Sequence, residues 1–325
     1  MYARLLPLLA IAACATAPAT ALADAGSGFA TAVENAKMPQ RILAGNGAQA
    51  FAETCEDWDE WDKPAPPFQI LGGTWYVGTC GISSILIADP AGHVLIDSGT
   101  DKGAAHVLEN IRKIGVDPHD IRYILMSHEH FDHVGGHSAL VSATGAKVVA
   151  SAAALETFRT GLPSAEDPQA DAGHPAMGSV KVDRVMADGE VVALTTDPST
   201  SQNRLTAHAT PGHTLGALSW TWTACSLPDE PPVCRRIAYV DSLSAVSADD
   251  YRFTDHPDLV ATFRRSFAKV AALPCDELFT PHPSGSQMLD RIKAGGFGGY
   301  GQCEAYARQQ EAALDKRLAM ENAGG

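Results

Sequence analysis

The residues that could do chemistry are concentrated in one stretch, Ser127-His128-Glu129-His130-Phe131-Asp132-His133. Imidazole nitrogens and carboxylate oxygens are ligands that zinc accepts in proteins. Alternation along an extended chain turns His128 and His130 to the same side, and Asp132 and His133, past a turn, can face a second metal nearby. The pattern HxHxDH, between an apolar strand and a glycine pair, therefore predicts a metal site rather than a polar helix start with surface histidines.

Two later histidines lie in turns that suit further ligands. His213 occurs in Thr-Pro-Gly-His-Thr (210–214), and His282 occurs in Thr-Pro-His-Pro (280–283). Flanking prolines keep His282 out of a helix interior. A lone histidine is weak support for a metal site, but together with the first cluster these two complete two groups of three ligands.

The elements around these residues alternate between strands and helices. Short segments rich in Ile, Leu and Val, separated by Gly or Pro, predict strands, and apolar residues at three- to four-residue spacing predict helices. The predicted strands are 69–77, 83–88, 93–97, 122–127, 147–150, 185–194, 205–210, 217–222, 237–240 and 278–280. The predicted helices are 101–114, 135–141, 152–159, 259–273 and 304–320.

The domain organisation follows from these elements. Residues 1–23 are expected to be a signal peptide, 24–67 an irregular N-terminal arm, and 68–325 one domain. Residues 160–178 contain Gly and Pro with little periodicity, which predicts a long surface loop. Because no linker separates the two halves, we predict a single α/β domain, an αβ/βα four-layer sandwich, rather than two independent domains.

Composition excludes some partners. The formal charge is -14, and no basic stripe is visible, which argues against nucleic acid and anionic lipid as partners. No segment after the leader has the run of about 18 apolar residues that a spanning helix needs.

The leader predicts export to the periplasm or secretion. Arg4, an apolar stretch over 5–13 and Ala21-Leu22-Ala23 are typical of a signal peptide that is cleaved before Asp24. The alternative is a lipoprotein signal in which Cys14 carries the lipid and tethers the protein to a membrane.

Six cysteines remain once Cys14 is set aside. In an exported chain without a C-x-x-C spacing, an even set favours disulfides over a metal site. Pairing between neighbours favours Cys55–Cys80, Cys225–Cys234 and Cys275–Cys303, and the alternative is that one pair stays reduced and buried.

The set HxHxDH, PGHT and PHP resembles the metallo-beta-lactamase superfamily across about residues 68–310, and more narrowly the B3 beta-lactamases. Four further stretches are similar to that subclass, and a Cys275–Cys303 bridge would also match it. These stretches are SWTW (219–222), YVDSLS (239–244), FRRSF (263–267) and LPCD (273–276).

This resemblance implies two zinc ions and a role for each ligand. His128, His130 and His213 would hold one zinc, and Asp132, His133 and His282 the other. Asp132 would also be catalytic, because it orients the zinc-bound hydroxide and is a candidate proton donor to the leaving nitrogen. The other beta-lactamase subclasses place a cysteine where this chain has Ser242.

The implied substrate is a small-molecule beta-lactam. The resemblance implies hydrolysis of penicillins, cephalosporins or carbapenems, and hence antibiotic resistance. Ser242 and Ser244 would lie beside the second zinc and bind the substrate carboxylate; the alternative is that they are hydroxyls that close a turn.

Two other functions remain open. One is a different zinc hydrolase of the same fold, such as a glyoxalase II-like thioesterase, a lactonase or a phosphodiesterase, whose site would use Asp241 between the metals. The other is an exported zinc-binding protein without catalysis.

Residues outside the motifs carry weaker expectations. The loop over 155–177 either roofs the site or is a plain surface loop. The remaining histidines are expected at the surface, with His137 close enough to support a ligand; they are His93, His106, His119, His137, His174, His208 and His256.

Overall fold

The computed structural model of this chain describes residues 47–194, 204–226, 233–298 and 301–323. The predicted signal peptide and the first half of the predicted arm lie outside these ranges. Among the helices so described, none combines the length and the apolar character needed to cross a membrane.

Seven strands form the first sheet and lie side by side in chain order. The first four are antiparallel and the last four are parallel. They are β1 (Phe68–Leu71), β2 (Thr74–Tyr76), β3 (Ile85–Asp89), β4 (Gly92–Ile96), β5 (Ile121–Leu125), β6 (Lys147–Ser151) and β7 (Val182–Met186).

Five strands form the second sheet, in the order β12-β11-β10-β9-β8. The pair β11 and β12 is parallel, and the other pairs are antiparallel. The strands are β8 (Val191–Val192), β9 (Leu205–Ala209), β10 (Leu218–Cys225), β11 (Cys234–Tyr239) and β12 (Glu277–Phe279).

Eight α-helices accompany the sheets in the described residues. Short 3-10 turns at Pro118–Asp120, Phe253–Asp255 and Pro283–Ser286 complete the helical structure of these ranges. The helices are α1 (Gly47–Thr54), α2 (Gly103–Lys113), α3 (Phe131–Val134), α4 (His137–Thr144), α5 (Leu155–Thr160), α6 (Pro257–Ala271), α7 (Met288–Lys293) and α8 (Gln302–Ala323).

Helices pack against a face of each sheet. On the first sheet, Leu95 packs in one apolar cluster with Ile111 of α2 and Leu140 of α4. On the second sheet, Ala238 shares a cluster with Phe263 of α6 and Tyr306 of α8. Strand residues alternate between the two faces of a sheet. The face opposite to the helices therefore also carries side chains that must be buried.

Tryptophans join the two sheets on that second face. The indole nitrogen of Trp222 on β10 donates to Oγ1 of Thr74 on β2 at 3.0 Å, and that of Trp220 donates to the carbonyl of Met126 at 2.8 Å. All four of these residues are buried. The predicted four-layer αβ/βα sandwich is confirmed.

The predicted irregular arm contains a helix. In α1, Phe51 is 1% exposed, and its ring lies 5.5 Å from that of Phe68 and 5.1 Å from that of Tyr76. The helix also contacts α7. The expectation of irregular structure up to residue 67 was wrong here, because tertiary contacts through one aromatic ring hold a helix too short to be stable alone.

Two predicted strands are each divided by a turn. The segment 69–77 is the hairpin β1–β2, broken at Gly72 with φ of 55°, and the segment 185–194 is broken at Gly189 with φ of 80°. Glycine adopts this left-handed conformation readily. The second turn matters more, because β7 and β8 belong to different sheets.

Three disulfides join the cysteines in the predicted pairs, Cys55–Cys80, Cys225–Cys234 and Cys275–Cys303. The first attaches the end of α1 to the segment between β2 and β3, and the third attaches the start of α8 next to β12. The predicted pairing is confirmed.

Candidate metal centre

All six predicted ligands follow the ends of strands. His128 and His130 come after β5, His213 lies in the turn between β9 and β10, and His282 follows β12. Five of the six residues are 7% exposed or less, and the side chain of His282 is 21% exposed. The structure brings together every residue for which the sequence predicts a ligand role.

The first group contains three histidines. The candidate ligand atoms of His128, His130 and His213 all lie within 4.8 Å of one another. The three ring centroids are separated by 4.6 to 4.9 Å. Strand β5 ends before His128, so the shared orientation of His128 and His130 comes from an extended segment beyond the strand.

The second group is arranged around Asp132. Its Oδ2 lies 3.0 Å from Nε2 of His133 and 3.3 Å from Nε2 of His282. The groups adjoin, because ligand atoms of His128, Asp132 and His133 also lie within 4.8 Å of one another. Two neighbouring metal positions are therefore available.

Backbone and carboxylate acceptors fix the orientation of the ligand rings. His128 Nδ1 contacts Oδ1 of Asp241 at 2.8 Å, and His213 Nδ1 contacts the carbonyl of Ser244 at 2.8 Å. His282 Nδ1 lies 3.2 Å from the carbonyl of Gly81. Each contact leaves Nε2 as the nitrogen available to a metal, as in metal sites whose ligands are held by outer hydrogen bonds.

The donor atoms fit metal ions. Nε2 of His128 is buried and has no hydrogen-bond partner. A buried polar atom without a partner costs free energy that a bound cation would recover. Oxygen from Asp132 and nitrogen from five histidines form a donor set that zinc accepts.

The pKa shifts of His128, His213 and Asp132 favour the protonation states that bind metal. Burial, and next the charges of His133 and His130, lower the pKa of His128 well below its ordinary value. Burial, with neighbouring histidines, lowers the pKa of His213 to about 3. Burial alone would raise the pKa of Asp132, but His133 and His282 outweigh it and hold that pKa well below its usual range. Two ligand histidines are therefore neutral while the carboxylate is ionised.

A cleft of about 510 Å³ opens above the two groups. Ser242, Ser244, Trp58 and Trp61 contribute to its lining. Ser242 Oγ is buried and has no hydrogen-bond partner. Ser244 Oγ lies 3.3 Å from Nδ1 of His213, a residue of the first group.

Asp241 supports a ligand from outside the cleft. Its Oδ1 contacts Nδ1 of His128, the nitrogen on the side of the ring opposite to Nε2. It is fully buried and does not line the cleft, whereas the next residue, Ser242, does. In this position Oδ1 of Asp241 supports a residue of the first group.

Glu129 has a structural role that the sequence did not predict. This carboxylate is 3% exposed and accepts from Oγ1 of Thr214 at 2.7 Å and from the backbone N–H of Gly216 at 2.9 Å. It therefore fixes the turn that carries His213. Its position between His128 and His130 could have indicated this role. Alternation along an extended chain turns Glu129 to the side opposite to the two histidines.

Asp97, at the end of β4, is a second missed residue. It accepts from the N–H and the Oγ of Ser127, both at 2.6 Å, and from the hydroxyl of Tyr239 at 2.7 Å. Burial raises the pKa of Asp97 to about 6, although the charge of His133 and these hydrogen bonds oppose the rise. Asp97 thus connects the two sheets through Tyr239 and holds Ser127, the residue directly before His128.

The expectation that the other histidines lie at the surface was wrong for His93 and His137, which are both 0% exposed. His93 Nδ1 accepts from the N–H of Asp89 and closes the β3–β4 hairpin. His137 Nδ1 contacts Ser98 Oγ at 2.8 Å, and this hydroxyl lies 3.1 Å from the carbonyl of His133. His137 is therefore connected through Ser98 to the backbone of the predicted ligand His133. The sequence analysis expected it close to a ligand.

Comparison with known proteins identifies relatives. A family model described as metallo-beta-lactamase superfamily matches residues 77–226. MIM-1 from Novosphingobium pentaromativorans is 46% identical, with a TM-score of 0.79 and coverage of 85% of this chain and 99% of its own. SMB-1, solved with mercaptoacetic acid, is 44% identical, with a TM-score of 0.74 and coverage of 81% and 99%. MEM-A1, a subclass B3 metallo-beta-lactamase from a soil metagenome library, is 39% identical, with a TM-score of 0.75 and coverage of 82% and 100%.

Proposed function

The chain belongs to the metallo-beta-lactamase superfamily and, within it, to subclass B3, and on this basis we propose that it hydrolyses the amide bond of beta-lactam antibiotics. The observation that carries the proposal is the pair of adjoining ligand groups beneath a cleft lined by Ser242, with no cysteine among the six ligands. We expect penicillins, cephalosporins or carbapenems as small-molecule substrates, and resistance to them as the consequence.

The metal ions are proposed to be zinc, two per chain. His128, His130 and His213 would hold one ion. Asp132, His133 and His282 would hold the other. When bound, such ions supply Lewis acidity toward the lactam carbonyl and lower the pKa of a water molecule toward neutrality, so that it serves as the nucleophile.

Asp132 is proposed to orient that water and to move its proton. Oδ2 makes the contacts with His133 and His282, which leaves Oδ1 to accept a hydrogen bond. In the reaction, a bond forms between the water oxygen and the lactam carbon, the carbon–nitrogen bond breaks, and the water proton is delivered to the nitrogen. No side chain forms a covalent bond with the substrate.

Ser242 is proposed to bind the substrate carboxylate. Among the described residues that line the cleft, none is Lys or Arg. An anionic group must therefore be bound by neutral donors or by the metal ions, and the partnerless Oγ of Ser242 is such a donor. Ser244, which lies beside His213, is proposed to help bind the substrate carboxylate, either directly or through water.

We also propose that the mature protein is periplasmic or secreted after the loss of residues 1–23. The three disulfides support this proposal, because such bonds persist in oxidising compartments. Sequencing the N-terminus of the exported protein tests it. A start near Asp24 supports cleavage, whereas a lipidated Cys14 would replace it with a membrane tether.

A panel of substrates tests the function. Purified protein is assayed with a penicillin, a cephalosporin and a carbapenem, and in parallel with a thioester and a lactone. Turnover of at least one beta-lactam supports the proposal. Turnover confined to the thioester or the lactone would assign the chain to another reaction on the same fold.

A further inference from the structure

The loop between α5 and β7, residues 161–181, contains a buried carboxylate. Most of this loop is exposed, but Asp167 is only 5% exposed. A buried carboxylate is costly unless it is paired or hydrogen-bonded. Its partners therefore show what this part of the loop does.

Both oxygens of Asp167 have partners. Oδ1 accepts from the backbone N–H of Gln169 at 2.7 Å, which fixes the local turn of the loop. Oδ2 lies 2.9 Å from Nε2 of His130. One carboxylate therefore joins the conformation of the loop to the orientation of a candidate metal ligand, 37 residues away in sequence.

This contact also selects the nitrogen that His130 offers. With Nε2 directed at Asp167, Nδ1 is the atom available to a metal beside His128 and His213. Three other ligand rings are supported by different segments. Asp241 and the carbonyl of Ser244 lie in the segment after β11, and the carbonyl of Gly81 lies between β2 and β3. The support of His130 comes instead from the 161–181 loop.

The loop has further contacts with the site. The carbonyl of Pro168 accepts from the N–H of Ala248 at 2.9 Å, which connects the loop to the segment that carries Ser242. The ring of His174 lies 5.2 Å from that of Phe131, the residue directly after His130. A displacement of the loop would therefore disturb the Asp167–His130 contact.

We propose that Asp167 is a positioning residue that couples the conformation of the 161–181 loop to metal affinity at the group formed by His128, His130 and His213. The inference rests on the metal centre of the proposed function and extends it to the loop. Coupling of this kind is reciprocal, so metal binding stabilises the loop conformation in which Asp167 contacts His130, and a molecule that displaces the loop weakens metal binding.

The experiment measures zinc affinity of the full mature protein by competition with a chromophoric chelator, for the wild type, Asp167→Ala, Asp167→Asn and the control Asp171→Asn. Asp171 is an exposed acid of the same loop, so its replacement changes the charge equally without touching His130. We expect Asp167→Ala to weaken one of two zinc equivalents by about tenfold to a hundredfold. Asp167→Asn, which keeps an oxygen acceptor, should lose less, and Asp171→Asn should match the wild type.

Hydrogen exchange of the 161–181 loop, with and without zinc, supplies a second readout. We expect zinc to protect the loop in the wild type and in Asp171→Asn but not in Asp167→Ala. Unchanged zinc affinity together with unchanged zinc-dependent protection in Asp167→Ala would overturn the coupling. Equal weakening of both zinc equivalents, with a lower melting temperature of the metal-free variant, would also overturn it, because it indicates general loss of structure.

The outcome does not depend on the identity of the substrate. If the variants show the expected coupling but the wild type hydrolyses no beta-lactam, the proposed reaction is refuted and the coupling is supported. A wild type that binds no zinc refutes both.

Discussion

Asp241 Oδ1 lies 2.8 Å from Nδ1 of His128, and both side chains are 0% exposed. The aspartate follows Val240, the first residue after β11, and the histidine follows β5 of the other sheet. One buried contact therefore joins the two sheets at the metal centre and directs Nε2 of His128 toward the other ligands. The adjacent Ser242 is left to line the cleft.

Asp241→Asn should weaken metal binding without abolishing the fold. The amide keeps an oxygen that can accept from His128, but the charge that strengthens this contact is lost. Such outer contacts are worth about tenfold to a hundredfold in metal affinity. Zinc affinity is measured by competition with a chelator. Asp249→Asn, at an exposed position, is the control because it changes the net charge by the same amount. Equal affinities in the two variants would remove Asp241 from the support of the site.

Ser242→Ala should raise KM while much of kcat remains. The variant loses a hydrogen bond to the substrate carboxylate, worth about 1.5 to 3 kcal/mol, or roughly tenfold to a hundredfold in KM. Steady-state kinetics on a cephalosporin, with zinc content measured on the same samples, separates the two constants. Complete loss of turnover with zinc retained would contradict the role given to Ser242.

Asp132→Asn should reduce both metal content and rate. The change keeps the size of the side chain but removes the charge that Oδ2 presents to His133 and His282. Loss of a charged ligand in a two-metal site should cost several kcal/mol of transition-state stabilisation, or roughly a hundredfold or more in rate. Hydrolysis of a carbapenem and a cephalosporin is compared with metal analysis. Unchanged turnover would exclude Asp132 from the mechanism.

The candidate ligands were predictable because their signals are local. HxHxDH, PGHT and PHP each occupy a few consecutive residues, and each follows an apolar strand whose end fixes where the side chains lie. Alternation within 128–130 indicated two ligands on one side, and the structure agrees with that prediction. The same rule, applied to Glu129, would have indicated its opposite orientation.

The supporting contacts were not predictable in the same way. The contact between His130 and Asp167 spans 37 residues, and that between His128 and Asp241 spans 113. Asp167 has no local pattern that marks it. Asp241 lies in the YVDSLS stretch, but that pattern does not indicate His128 as its partner, because the pairing depends on how the two sheets pack. Helix α1 was missed for a related reason, since its stability depends on Phe51 packing against Phe68 and Tyr76.

We propose that this centre hydrolyses beta-lactams by means of bound metal. The direct measurement is turnover of a chromogenic cephalosporin by the native protein, by the protein after thorough chelation, and by the chelated protein titrated with zinc. We predict turnover in the native protein, loss after chelation, and recovery that saturates near two equivalents of zinc per chain. Full turnover after verified removal of metal, or no turnover of the cephalosporin by the zinc-loaded protein, would contradict the account.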